Sequence, residues 1–346
     1  MNSTSPSRTE PAQQHTHRLP VVVLLFLAPI GAEYLSAYDD STGDVMALLF
    51  GLLFFVPLYG APALIIREIA RRAELGWTGI ILMATAFGLL QAGVVDQSLF
   101  SDNYRGIESW ADSLRGSYVE PLGISLYNVV NFVGGHVIYS ISAPIAIAEA
   151  LRPRSAREPW LGRIGFGITF VLYLLISLVI LADHLENETS HASVPQAAVS
   201  LAIVMLLIAG AFRFGRQRER LVGSAAPTVR RTFAVSLALI VTYSLGPEDW
   251  SGVLLAAGSL LIAAFLLWRA SRAVSWSPAH TVAIAAAVLL ARATFAFLYF
   301  PVIGEVSATS KYGHNIAMLL IVSVMCYVSW RAARSSGATM PHARAR

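Results

Sequence analysis

Residues 45–66, VMALLFGLLFFVPLYGAPALII, run for 22 positions without a charged side chain and are followed at once by Arg67, Arg71 and Arg72. At a helical rise of about 1.5 Å per residue the run is about 33 Å long, enough to cross a hydrocarbon core of about 30 Å. Buried helices of soluble proteins carry shorter apolar runs, of about 10–14 residues, and a charged face. The stretch therefore reads as a membrane span, and the arginines at its end as residues retained on the cytoplasmic side.

Comparable runs occur at about 19–38, 77–99, 123–150, 164–182, 195–212, 232–247, 250–268, 280–302 and 313–330. The seventh, FAVSLALIVTYSLG, is the shortest and can also be read as half of a hairpin with the eighth. The whole chain agrees, because 346 residues with 55% hydrophobic and 13% charged side chains need lipid as solvent for much of their surface. The expected fold class is all-α, a polytopic transmembrane helix bundle of about ten spans, N-in and C-in. Residues 1–18 read as a disordered cytoplasmic tail, 19–330 as the membrane domain and 331–346 as a basic cytoplasmic tail.

Positive charge tests the count. Of the 25 basic residues, 21 fall in segments that the ten-span reading places inside, and only Arg105, Arg115 and Lys311 fall outside. Arg292 lies within a span. The basic clusters are thus topology signals rather than nucleic-acid contacts, and the partner they imply is a lipid bilayer, here the cell membrane. Trp77, Trp160, Trp268, Trp276 and Trp330 fall at inner ends, and Trp110 and Trp250 at outer ends, as interfacial anchors do. The outer segment IESWADSL carries Ile107, Trp110 and Leu114 at helical spacing and is expected to lie over the third and fourth spans. A single cysteine, Cys326, rules out an intrachain disulfide.

Function is sought in polar residues that lie in the wrong solvent. An ionisable group at the bilayer centre costs about 2.5–3.5 kcal/mol on insertion scales and needs a partner, water or a role. Glu33 lies near the outer end of the first span, Gln91 and Asp96 in the third, and Asn128, Asn131, His136 and Ser140 in the fourth. Arg292 lies in the ninth, and His314-Asn315 open the tenth. By helical rise, His136 and Arg292 are about 18–20 Å deep, and Gln91 and Asn131 can meet in the outer half. Asn128, Phe132, His136 and Ser140 recur every four residues and form one stripe. Such a stripe serves equally as helix-to-helix glue or as a pocket wall. Arg292 is expected either to pair with Asp96 or Glu33 or to anchor an anionic substrate. Gly134-Gly135, and Pro57, Gly60 and Pro62, read as packing and kink features. Polar residues in the inner half are few, Glu149 being close to the inner end.

The runs PLYGAPALIIREIARR, FGLLQAGVVDQSLFSDNY and GGHVIYSISAPIAIAEALRPRSAREPWLG resemble an uncharacterised family of multispanning membrane proteins from high-GC actinobacteria, over residues 55–162. In that family the position of Gln91-Ala92-Gly93 is often Glu-Glu-Gly. Paired glutamates followed by Phe-x-x-x-His on the next span are similar to the CPBP (Abi) intramembrane proteases, in which carboxylates and histidines bind a metal or activate water. Phe132 and His136 keep the second element, whereas Gln91 and Ala92 carry neither a base nor a metal-binding charge. Asp96 lies about 140° round the helix from Gln91.

Three functions stay open on the sequence. The first is an intramembrane enzyme, active or degenerate, with His136, Asp96 and Asn131 as catalytic candidates and Arg292, Gln91, Asn128, Ser140 and Glu33 around a hydrophobic, lipid-linked or anionic substrate. The second is a secondary transporter with an Asp/His/Arg relay, and the third an accessory subunit. No motif names a cofactor, which stays unknown.

Overall fold

The computed structural model describes residues 17–107, 109–216 and 224–337. Among the described residues the chain forms ten long helices and one short hairpin, Tyr118–Val119 against Ile124–Ser125. The first helix is Arg18–Pro29, continuing through Ile30–Tyr34, and the second runs from Val45 to Arg72. The third spans Trp77–Val95, the fourth Leu126–Leu151, the fifth Arg163–Asn187 and the sixth Val194–Phe214. The seventh is Val229–Ser244, the eighth Trp250–Ala270, the ninth Pro278–Leu298 and the tenth Ala308–Gly337. Eight of them, all but the first and seventh, are long and apolar enough to cross a membrane. The chain is a polytopic helical membrane protein. Of the expected tails, residues 1–16 and 338–346 lie outside the described residues, Arg18 starts the first helix, and 331–337 continue the tenth.

Helix starts carry acceptors for their free backbone N–H groups, as chain entering an apolar phase requires. Asp44 accepts from Met46 and Ala47 at 2.9 and 3.1 Å, and Asp249 from Ser251 and Gly252 at 2.8 and 3.2 Å. Hydrogen bonding to the Ser251 hydroxyl, then to the Gly252 N–H, holds the Asp249 carboxyl below its usual value.

Connections sort to two ends. At one, Gly76 N–H bonds the Gly215 carbonyl at 2.8 Å, Ala226 N–H the Ser275 hydroxyl at 2.7 Å, and His17 approaches Glu158 at 3.9 Å. At the other, Arg105 N–H meets Glu188 at 3.3 Å, Gln196 bonds the Leu122 carbonyl at 3.0 Å, and Val302 N–H bonds the Tyr38 carbonyl at 2.8 Å. The arginine-rich connections share the first end.

Surface and core are inverted relative to a soluble protein. The fifth helix exposes Ile164, Ile168, Leu172, Leu175 and Val179, an apolar stripe suited to lipid. The ninth helix is buried through small residues, Ala279, Ala283, Ala286, Ala287 and Ala291 among them, and packs on the seventh, the tenth and the C-terminal half of the fourth.

Several surface expectations change. Trp110 is buried, stacked 5.6 Å from Phe132 with its indole N–H on the Ser101 carbonyl at 2.9 Å, so it fastens the outer segment to the fourth helix. The helix there is short, Trp110–Arg115. Trp160 is buried beneath the Arg67 guanidinium at 3.5 Å. Lys311 is fully buried and donates to the carbonyls of Ala296 at 2.7 Å and Ala37 at 3.4 Å, tying the tenth helix to the first and ninth. Lys311→Met keeps the stem and removes both donations. It is expected to cost about 1–3 kcal/mol, read as a lower melting temperature in detergent; unchanged melting would show that the two bonds hold nothing.

The arginine-rich end holds the largest departure. Arg67 and Glu68 are fully buried and Arg71 and Glu149 nearly so. Arg67 donates to Glu149 at 3.1 Å and Glu68 at 2.7 Å, and Arg71 grips both oxygens of Glu149 at 2.7 and 2.6 Å. The N–H groups of Trp160 and Leu161 close on Glu68 at 2.7 and 3.2 Å. Two residues read as topology signals are the centre of an ion-pair network joining the second helix, the fourth helix and the connection after it.

Candidate functional site

Each of the first four helices widens into a π-helical stretch, at Ile30–Tyr34, Val56–Gly60, Gln91–Val95 and His136–Ser142. These stretches hold Glu33, Tyr59, Gln91, His136 and Ser140. A π turn is rare and frequent at functional sites, because the extra residue shifts the side-chain stripe and frees backbone groups. Those of the first and second helices both pack on that of the fourth. The sequence signal for them is Pro or Gly interrupting an apolar run: Pro29, Pro57, Gly93 and Gly134-Gly135.

Glu33 accepts the Tyr38 hydroxyl at 2.7 Å and is also bonded by the Tyr59 hydroxyl. The Tyr59 ring lies 5.8 Å from the imidazole of His136, and the Phe87 ring meets that imidazole edge-on at 5.4 Å. Gly88 lets the third helix approach this point, since a Cβ there would lie 3.1 Å from that of His136. Asp96, just beyond the third π turn, accepts the Ser98 N–H at 2.9 Å and is within electrostatic reach of Glu33. In the neighbouring connection, burial first and then Asp96 push the Tyr104 hydroxyl above its usual value.

The other face of the fourth helix looks onto a cavity of about 210 Å³. Arg292 lies in its wall with Asn131, Tyr139, Tyr243, Ser244 and Tyr299. The guanidinium sits 4.4 Å over the Tyr139 ring and donates once to protein, to the Ala32 carbonyl at 3.3 Å. Its buried Nε has no partner. The tyrosine hydroxyls already have partners: Tyr139 shares a bond with Ser244 at 3.2 Å, Tyr243 donates to the Val130 carbonyl at 2.9 Å, and Tyr299 to the Ser36 carbonyl at 2.5 Å. Leu245 and Leu298 are exposed on the rim. The seventh helix, 16 residues and so about 24 Å long, supplies Tyr243, Ser244 and Leu245 from its end.

The expected residues therefore divide. Asn131 and Arg292 share the cavity; Glu33, Asp96 and His136 belong to the π-turn cluster; and Arg292 stands in electrostatic reach of both Glu33 and His136. The expected ion pair of Arg292 with Glu33 or Asp96 does not form, because the guanidinium stacks on Tyr139 and turns to a backbone carbonyl instead. Gln91 meets Tyr173, whose hydroxyl lies 3.1 Å from its side-chain oxygen, rather than Asn131. The stripe on the fourth helix does not face one space: Phe132 goes to Trp110, His136 to Tyr59 and Phe87, Ser140 is buried, and Asn128 is buried with its amide nitrogen unpartnered. The residues missed on sequence are tyrosines, Tyr59, Tyr139, Tyr243 and Tyr299, which hydropathy counts as apolar. Among the described residues no three His, Cys, Asp or Glu side chains are grouped to hold a metal ion.

No curated protein and no solved structure matches the chain. A family model described as an uncharacterized membrane protein family matches residues 22–344, and the chain belongs to that family.

Proposed function

We propose that the chain takes an amphiphilic anion, bearing a carboxylate or phosphate, into the Arg292 cavity from the lipid phase, as the substrate of an intramembrane enzyme or a degenerate form of one. In this reading it crosses the cell membrane ten times, the arginine-rich end and both termini are cytoplasmic, and the cavity lies in the outer half. The observation that carries it is the Arg292 guanidinium, which has a buried, unpartnered Nε and no ion pair among the described residues, yet lines a cavity together with Asn131, Ser244 and several tyrosines. A planar fork held on a tyrosine ring suits an oxyanion. The exposed Leu245 and Leu298 suit an apolar tail leaving over the rim. Glu33 and His136, which lie across the fourth helix from the cavity and feel the Arg292 charge, are the acid–base candidates. Hydrolysis through paired carboxylates and a metal is not part of the proposal, since Gln91 is a hydrogen-bonded amide and Ala92 has no polar group.

A transporter reading draws on Glu33, which feels both Arg292 and Asp96 and so can relay charge between them. The buried ion-pair network closing the opposite end supports lateral entry over a through-path.

Equilibrium binding of radiolabelled oleate and lysophosphatidate to the purified protein tests the proposal, with monoolein as the neutral comparison. Arg292→Gln is expected to weaken binding of the anions about 10- to 100-fold, the size of one charge-assisted pair, and to leave monoolein unaffected. Equal binding by wild type and variant would overturn it. Uptake into proteoliposomes, if seen, would decide for transport.

A further inference from the structure

A second cavity, of about 290 Å³, lies between the first, second and fifth helices at the opposite, arginine-rich half of the bundle. Its walls are apolar: Val21 and Leu25, then Val56, Pro57 and Leu64, then Leu161, Ile168 and Leu172. The single hydroxyl, on Thr169, is spent on the Gly165 carbonyl at 2.8 Å. Ile168 and Leu172 are exposed, so the groove opens sideways onto lipid. From Gly165 to Leu172 it follows about 10 Å of helix.

Its inner mouth is basic. Arg18 precedes Val21 by three residues on the same helix face and is exposed. Arg72 reaches across, donating to the Leu161 carbonyl at 2.5 Å and standing 5.6 Å over the Phe166 ring, with Glu68 3.5 Å away. An apolar slot ending in two guanidinium groups matches a lipid acyl chain below an anionic headgroup.

We infer that this groove is a binding site for one anionic phospholipid of the leaflet that meets the arginine-rich end, its acyl chain along Val21, Leu64 and Ile168 and its phosphate on Arg18 and Arg72. The site is separate from the Arg292 cavity and does not depend on the function proposed for it. Its role is that of a resident lipid fastening the fifth helix to the first two.

The test is lipid retention by the full-length protein. Protein is purified in mild detergent with equimolar phosphatidylglycerol and phosphatidylcholine, and the retained lipid is measured by mass spectrometry. Wild type is expected to keep phosphatidylglycerol in several-fold excess. Arg18→Gln changes only an exposed side chain and is expected to lose most of that preference. Gly165→Leu fills the groove where an added Cβ meets only ordinary contacts, the nearest atom being 3.5 Å away; it is expected to retain neither lipid while melting no lower than wild type. Should Gly165→Leu fold poorly, Ile168→Phe blocks the same groove from an exposed position. Equal retention of the two lipids by wild type, or wild-type retention in Arg18→Gln, would overturn the site. A dimer that separates on filling the groove would assign it to a second copy of the chain and overturn it equally.

Discussion

Glu149→Ala is expected to be the most damaging single substitution of a charged residue in this protein. Glu149 accepts from Arg67 at 3.1 Å and from Arg71 at 2.7 and 2.6 Å, on side chains that water hardly reaches. Removing the carboxylate leaves Arg67, fully buried, facing Glu68 and backbone carbonyls, and leaves the Arg71 fork without its partner. Breaking a buried pair by deleting one member costs about 3–5 kcal/mol, because the remaining charge has lost both water and counter-charge. Glu149→Gln preserves shape and part of the hydrogen bonding and is expected to fall between. The comparison is Glu158→Ala, whose carboxylate is 63% exposed and 3.9 Å from His17; an exposed pair of this kind contributes about 0–1 kcal/mol. Melting of the detergent-solubilised protein reads all three. Glu149→Ala melting with Glu158→Ala would mean that the network does not hold the second and fourth helices together.

Gly31→Ala and Gly60→Ala are expected to destabilise, against the sign that helix propensity alone predicts. Alanine is favoured over glycine within a helix by about 1 kcal/mol. A Cβ at Gly31, however, would stand 2.4 Å from the Tyr139 carbonyl oxygen, and one at Gly60 would stand 2.4 Å from that of Leu25. Both obstacles are backbone atoms of a neighbouring helix, which cannot swing aside, so the helices must separate by about 1 Å. Overpacking of this kind costs about 1–3 kcal/mol and occasionally more. Gly31→Ala carries a second consequence. It pushes the first helix from the Tyr139 backbone, the same helix whose Ala32 carbonyl holds Arg292, so anion binding at Arg292 is expected to weaken as well. Gly167→Ala, with nothing within 4 Å of the added carbon, is expected to be neutral or stabilising. A Gly31→Ala protein that melts above wild type would refute the close approach.

The ion-pair network and the glycine contacts differ from the helices themselves in how far local sequence declares them. Charge-free runs such as residues 45–66 announce helices in lipid because nothing else satisfies the backbone of so long an apolar segment. The same logic located Glu33, Asp96, His136 and Arg292, since each is costly in that solvent. Partners were not legible. Arg67 looked like a cytoplasmic charge because a guanidinium at the end of a span reads alike whether it faces water or a carboxylate from a helix 82 residues away. Nor could hydropathy separate a tyrosine that lines a cavity from one that faces lipid.

By itself, then, the sequence determined the solvent of this protein, its all-helical class, the places of its helices and which polar residues stand where lipid should. Those follow from local composition and from the helical rise. Only the tertiary structure decided that Asn131 and Arg292 share one cavity while Glu33 and His136 gather at the π turns, that Gln91 answers to Tyr173, and that Arg67, Arg71 and Glu149 form a buried knot. Each of these depends on how helices rotate and touch. In lipid that is set by small residues, π turns and side-chain hydrogen bonds acting between distant segments. A helix that is apolar all round gives no sign in its own sequence of which face it will turn to a neighbour.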